Sequence, residues 1–92
     1  MLTVDLGRSA LRFLKTVPTK HGKQIGLKII ALRRDPEPSG SRVLKGELAS
    51  YRRADIGEYR IIYFVDGDCL RIPVIGERND GAVYHAMARK LR

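Results

Sequence analysis

At 92 residues the chain can hold one domain with a modest core, and 18 lysines and arginines against 10 acids give it a formal charge of +8. That balance calls for a polyanion, an anionic surface or an acidic protein as partner. No apolar run approaches the roughly 20 residues of a bilayer span, the N-terminal stretch lacks the order of a secretion signal, and Cys69 stands alone. Membrane, disulfide-framework and cysteine-metal classes are thereby excluded, and a cytoplasmic protein is expected.

Residues 2–6 alternate weakly and read as a first strand, broken by Gly7. Ser9 stands where it can cap a short helix over 9–16, with Ala10, Leu14 and Val17 on one face, and Pro18 ends it. The spacing predicts a second helix over 19–34. Gly22, Ile25, Ile29 and Leu32 form its buried stripe, widened by Leu27 and Ile30, while Lys20, Lys23, Lys28, Arg33 and Arg34 fall largely on the remaining surface. Asp35-Pro36 stops the helix, and residues 36–42 (PEPSGSR) make a loop too short to separate domains. A brief extended piece follows at 43–45. Three strands come next, near 51–55, 58–65 and 68–77, and Asn79-Asp80-Gly81 introduces a short C-terminal helix with Val83, Met87 and Leu91 on one side. Helices first and a meander afterwards give an α+β class, with an N-terminal helical hairpin packed on one face of an antiparallel sheet.

Asp66-Gly67 is a two-residue hairpin signal, and closing the turn there sets Tyr63 opposite Leu70, Ile61 opposite Ile72 and Tyr59 opposite Val74. One face is then almost wholly apolar and belongs under the helices. The other carries Arg60, Ile62 and Phe64 against Pro73, Arg71 and Cys69, a cationic and partly greasy surface suited to a polyanion with stackable bases. For the preceding hairpin a three-residue loop, 55–57, is preferred over a two-residue loop at Ile56-Gly57, because Gly57 closes it at no steric cost. Arg52 then lies beside Arg60, and two like charges directly opposite are unfavourable unless an anion joins them. Tyr51 falls on the helix side.

Strict alternation sends Arg78 to the apolar side; either a bend at Gly76 brings it to the other arginines, or it pairs with Glu77, Asp80 or the last helix. Tyr84 sits one turn into that helix, and the neighbouring His85 is the side chain nearby whose ordinary pKa lies near neutrality. The chain has no phosphate-binding glycine loop, no nucleophile elbow and no paired histidines or cysteines at metal spacing. A metal-free reaction on a phosphodiester is left open by these residues, with arginines stabilising transition-state charge and a base deprotonating a 2′-hydroxyl.

Taken together these residues resemble the RelE branch of the RelE/ParE toxin superfamily. The resemblance runs over most of the chain: a helical hairpin, the Asp35-Pro36 stop, LKG at 44–46, YRR at 51–53, GEYRIIY at 57–63, IGERND at 75–80 and VY at 83–84. It implies a RelE-like fold and a cytoplasmic mRNA endoribonuclease that cuts translated mRNA at the ribosome without metal or cofactor, by 2′-hydroxyl attack giving a 2′,3′-cyclic phosphate. It also implies a cognate antitoxin as protein partner, in a hetero-oligomer. Carried over by motif, Arg60 and Arg78 match the two active-site arginines, Tyr84 the C-terminal tyrosine and Arg52 the first basic position after the strand tyrosine; Arg52, Arg53 and Lys45 are the expected RNA-binding residues. The family's second basic residue on that strand is Ala54 here, and Glu77 replaces a frequently basic residue. Those departures leave the base open: Arg53 compensates for the missing basic residue, or Tyr84 or His85 acts as the base. The competing readings are a ParE-like inhibitor of DNA gyrase on the same fold and a non-catalytic basic RNA- or ribosome-binding module.

Overall fold

A computed structural model describes residues 1–79 together with 81, 84, 85, 87 and 89. Strand β1 (Thr3–Leu6) leads into helix α1 (Arg8–Leu14) and helix α2 (Thr19–Arg34), followed by β2 (Arg42–Val43), a short 3-10 turn at Gly46–Leu48, β3 (Arg52–Ile56), β4 (Tyr59–Asp66) and β5 (Cys69–Glu77). Tyr84, His85, Met87 and Arg89 are helical, whereas Asp80, Val83 and Leu91 lie outside the described residues. No helix among the described residues is long and apolar enough to cross a membrane.

Helix α1 begins one residue before the expected Ser9 cap. The Gly7 amide donates to the Ile72 carbonyl at 2.9 Å, and the Gly7 carbonyl accepts the Leu11 amide at 2.9 Å. A Cβ on Gly7 would stand 3.2 Å from the Pro73 Cα, so glycine lets the helix start flush against β5. Helix α2 has the expected bounds and buries Ile25, Ile29 and Leu32. Leu27 and Ile30 do not widen that stripe; they are exposed. At about 100° per residue, Leu27 points about 200° away from Ile25 and Ile30 about 100° from Ile29, beyond the reach of the sheet.

The sheet order is β1-β5-β4-β3-β2. The three-strand meander sits at its centre, antiparallel throughout, and β2 extends it antiparallel to β3. Strand β1 adds a parallel pairing along β5. That edge is tied to the end of α2: the Leu2 amide donates to the Arg33 carbonyl at 3.1 Å, and Arg33 Nε donates to the Leu2 carbonyl at 2.7 Å.

Both central hairpins close differently from the sequence expectation, for one reason. Their loops are Gly57-Glu58 and Gly67-Asp68, with Ile56 opposite Tyr59 and Asp66 opposite Cys69. Each glycine holds positive φ, +56° and +61°, at the first loop position, and the residue after it does not. This is the primed turn that matches strand twist and needs glycine first rather than last. At the second hairpin the slip is even, so Ile61, Tyr63, Leu70 and Ile72 keep the helix-facing side. At the first hairpin it is odd, and every β3 residue changes face. Arg52 therefore pairs with Tyr63 rather than Arg60, and Asp55 stands opposite Arg60.

Phe64 pairs with Arg71 but Ile62 with Val74, so Ile72 and Pro73 share a place opposite Tyr63. A residue without an amide hydrogen is tolerated at such a bulge. The extra residue inverts the faces of the rest of β5: Ile75 joins the helix-side core, Val74 the opposite cluster, and Gly76 comes opposite Arg60.

Two apolar clusters result. Ala10, Ile25, Ile29 and Leu32 pack on Ala54, Tyr59, Ile61, Tyr63, Leu70, Ile72 and Ile75. Ile61, Ile25 and Leu70 lose all exposure there, each worth about 1.5–3 kcal/mol relative to an exposed side chain. Across the sheet, Leu44, Ile62, Val74 and Met87 form a smaller cluster flanked by Leu48, Tyr51 and Tyr84. Tyr51 is thus on the face away from the helices, edge-on to Phe64 at 5.1 Å between centroids.

Candidate functional site

Arg60 stands on the central strand β4, at the end beside the β3–β4 hairpin and on the face opposite the helices, its side chain 14% exposed. Cross-strand pairing brings Asp55 directly against it: Nε donates to Oδ1 at 2.6 Å and Nη2 to Oδ2 at 3.0 Å. Its other terminal nitrogen, Nη1, donates to the Tyr84 hydroxyl at 2.6 Å, and the guanidinium carbon lies 5.7 Å from the centre of the Tyr84 ring. Three of the five guanidinium N–H donors are thus in use. The Tyr84 oxygen accepts from Arg60, so its own proton is free to be donated elsewhere.

The electrostatics are those of a paired cation amid further cations. Hydrogen bonding from Arg60 holds the Asp55 carboxyl below its ordinary range; burial opposes this, and the charges of Arg60, Arg53 and Arg78 reinforce it. Hydrogen bonding to Asp55 raises the Arg60 guanidinium in turn, against the cost of burial. Arg53 Nη1 lies 3.7 Å from Asp55 Oδ2 on the same face. Arg78 is exposed just beyond β5, its amide donating to the Glu58 carbonyl at 2.8 Å. The bulge at Ile72-Pro73, not a bend at Gly76, accounts for its place on the Arg60 side.

Beside Tyr84 runs a groove of about 410 Å³ lined by Arg42, Val43, Leu44, Lys45, Leu48 and Arg53. It combines three cationic side chains with three aliphatic ones, a surface on which a nucleotide's phosphate and base could both be met. The groove therefore brings Lys45 and Arg53, two of the expected RNA-binding residues, together beside Tyr84, and Arg42 is an addition. Arg52 is not with them. Its Nη2 donates to Ser41 Oγ at 2.8 Å and its Nη1 lies 3.5 Å from Glu37, on the helix side of the sheet. Ser41 is buried and passes its own proton to the Pro38 carbonyl at 2.8 Å, so Arg52 braces the 36–42 loop. His85 is exposed and follows Tyr84 in the helical segment. At the far end of the same face Arg71 is occupied by Asp5 at 2.6 Å and Asp66 at 2.9 Å.

Asp55 is the member of the site that sequence reasoning missed. Its signal was in DIGEYR: with Gly57 first in the loop, an aspartate two residues before it must face an arginine three residues after it. Among the described residues no group of three histidine, cysteine or acidic side chains lies together to hold a metal ion.

No protein-family model and no curated protein sequence matches the chain. Solved structures do. A chain of the RelBE2 toxin–antitoxin complex from Mycobacterium tuberculosis is 26% identical, with a TM-score of 0.74 over 84% of this chain and 98% of that one. A chain of the heterotetrameric YoeB-YefM toxin–antitoxin complex from Staphylococcus aureus is 25% identical, with a TM-score of 0.68 over 80% of this chain and 93% of that one. The isolated RelE toxin of E. coli is only 16% identical, yet each chain covers the whole of the other at a TM-score of 0.72. The chain has the RelE-like α+β fold; two of these structural neighbours are chains of toxin–antitoxin complexes and the third is a toxin.

Proposed function

We propose that this chain is the toxin of a type II toxin–antitoxin pair and an endoribonuclease that cuts translated mRNA at the ribosome. The observation that carries the reading is the contact of Arg60 Nη1 with the Tyr84 hydroxyl at 2.6 Å, beside a cationic groove on a RelE-like fold. Lys45, Arg53 and Arg42 hold the RNA backbone along the groove. A base removes the proton of the 2′-hydroxyl, that oxygen attacks the adjacent phosphorus, and the bond to the 5′-oxygen breaks. Arg60 and Arg78 stabilise the added negative charge on the phosphoryl oxygens. Tyr84, its oxygen fixed by Arg60 and its proton free, protonates the departing 5′-oxygen. The products are a 2′,3′-cyclic phosphate and a 5′-hydroxyl. With Tyr84 as the acid, and with Ala54 buried under the helices and so no position from which a base could act, His85 takes the role of base.

The partner that restrains this activity is an antitoxin, in keeping with the complexes among the structural neighbours. The deciding experiment incubates purified protein with programmed ribosomes and maps mRNA ends, beside a gyrase supercoiling reaction. Cleavage by the unaltered protein that is lost in Arg60→Ala and Tyr84→Phe supports the reading. Inhibition of supercoiling without cleavage would move the protein to the gyrase-poison class.

A further inference from the structure

The carboxylate that Arg60 holds is placed where an anionic substrate would have to sit. Asp55 takes two of the guanidinium donors in a fork geometry that suits carboxylate and phosphate alike. Arg53 approaches the same carboxylate from its own strand at 3.7 Å, and the charge of Arg78 pulls on it from beyond β5. Two arginines from adjacent strands thus meet one small anion supplied by the chain itself, and the charge of a third adds to the field around it. Asp55 is still 31% exposed, at the open side of a two-residue hairpin, so its side chain can turn outward without uncovering a core.

We propose that Asp55 is an intramolecular stand-in for the substrate phosphate, which must leave Arg60 before the phosphodiester can engage it. This deepens the ribonuclease reading and rests on it for the identity of the anion. In the resting protein the Arg60 charge is neutralised, which disfavours capture of stray phosphates. A substrate held along the Lys45 and Arg53 groove displaces Asp55 because several contacts act together. The displaced carboxylate, already 31% exposed, turns toward solvent with Arg53 beside it on its own strand, so it is not left buried and unpaired.

The test measures binding of a 2′-deoxy oligonucleotide, which cannot be cleaved by 2′-hydroxyl attack, to the full chain. Asp55→Asn keeps the shape of the side chain and removes its charge. Its affinity is expected to rise about tenfold at low salt, the scale of one charge-assisted hydrogen-bond exchange. The dependence of log affinity on log salt is expected to steepen by about 0.7, one further single-strand phosphate contact. Asp66→Asn makes the same change in net charge at the Arg71 pair, away from Arg60, and controls for bulk charge. Asp55→Glu, which keeps the anion, is expected to stay near the parent affinity. If Asp55→Asn binds no tighter than Asp66→Asn, or more weakly than the parent, Asp55 is a brace that orients Arg60 and the proposal is overturned. Thermal melts of each variant separate that result from misfolding, because a folded Asp55→Asn protein must show the gain. Should it fail to fold, Asp55→Ser is read against the same control. Cleavage is scored separately: tighter binding in Asp55→Asn with no cleavage by any variant would sink the ribonuclease reading and leave the displaced anion standing. Cleavage by the parent with unchanged affinity in Asp55→Asn would do the reverse.

Discussion

Tyr84→Phe removes one oxygen and leaves the ring against the Leu44, Ile62, Val74 and Met87 cluster. What it deletes is the acceptor of the 2.6 Å bond from Arg60 Nη1. Arg60 keeps both bonds to Asp55, so its position should hold, and the loss of stability should be about 1 kcal/mol, the net worth of one hydrogen bond. For a domain of this size that lowers the melting temperature by about 4–8 °C. The chemical loss should be larger. If the hydroxyl protonates the departing 5′-oxygen, its removal slows cleavage by about 10²–10⁴. A 100-fold loss corresponds to about 2.7 kcal/mol of barrier, more than the stability term can supply. The discriminating assay uses ribosome-bound mRNA with a bridging sulfur in place of the 5′-oxygen at the scissile bond. A thiolate leaves without a proton, so Tyr84→Phe should cleave the sulfur substrate at close to the parent rate while failing on the oxygen substrate. Equal losses on both substrates would refute the assignment of Tyr84 as the acid and reduce it to a support for Arg60.

Arg60→Ala should lower the cleavage rate by about 10²–10³, as loss of an oxyanion donor does, and Arg78→Ala should do likewise if its charge reaches the phosphate; single-turnover rates on programmed ribosomes measure both. Arg53→Ala should weaken binding of a non-cleavable oligonucleotide and flatten its salt dependence by about 0.7, while Arg52→Ala leaves that slope alone and instead exposes the 36–42 loop to limited proteolysis. The Asp55 carboxyl is held low when folded, so it contributes stability above the ordinary carboxylate pKa of about 3.9, and that contribution is lost as pH falls through the lower folded value. Urea midpoints followed from neutral pH into acid should therefore fall more steeply for the parent than for Asp55→Asn.

Much of the architecture is written in local patterns. Helix α2 follows from the spacing of Ile25, Ile29 and Leu32 and from the Asp35-Pro36 stop, and its bounds are as read. The helix-facing side of β4 follows from Tyr59, Ile61 and Tyr63, because alternation survives a slip of two residues. What was not legible depends on counting across turns. Reading Gly57 as the end of its loop rather than its start turned Arg52 toward the site and left Asp55 unassigned. The placing of Arg78 depended on a bulge that Pro73 hinted at only as a residue unable to donate. Nor does any local signal say that residues 3–6 pair with a strand more than sixty positions away; the partner is set by tertiary closure, through Gly7 against Pro73.

The extra residue at Ile72-Pro73 makes β5 a counter of parity. Before it, odd-numbered residues share Arg60's side; after it, even-numbered ones do. Inserting one residue between the bulge and Glu77 would bring Glu77 to the surface where Arg78 now stands and replace a cation with an anion beside Asp55. Deleting one of the two bulged residues would instead remove the bulge, restore plain alternation and leave Arg78 where it is. Length in this strand is therefore constrained after the bulge rather than at it: a chain longer by one between Val74 and Glu77 would still close its sheet and present the wrong charge beside Arg60.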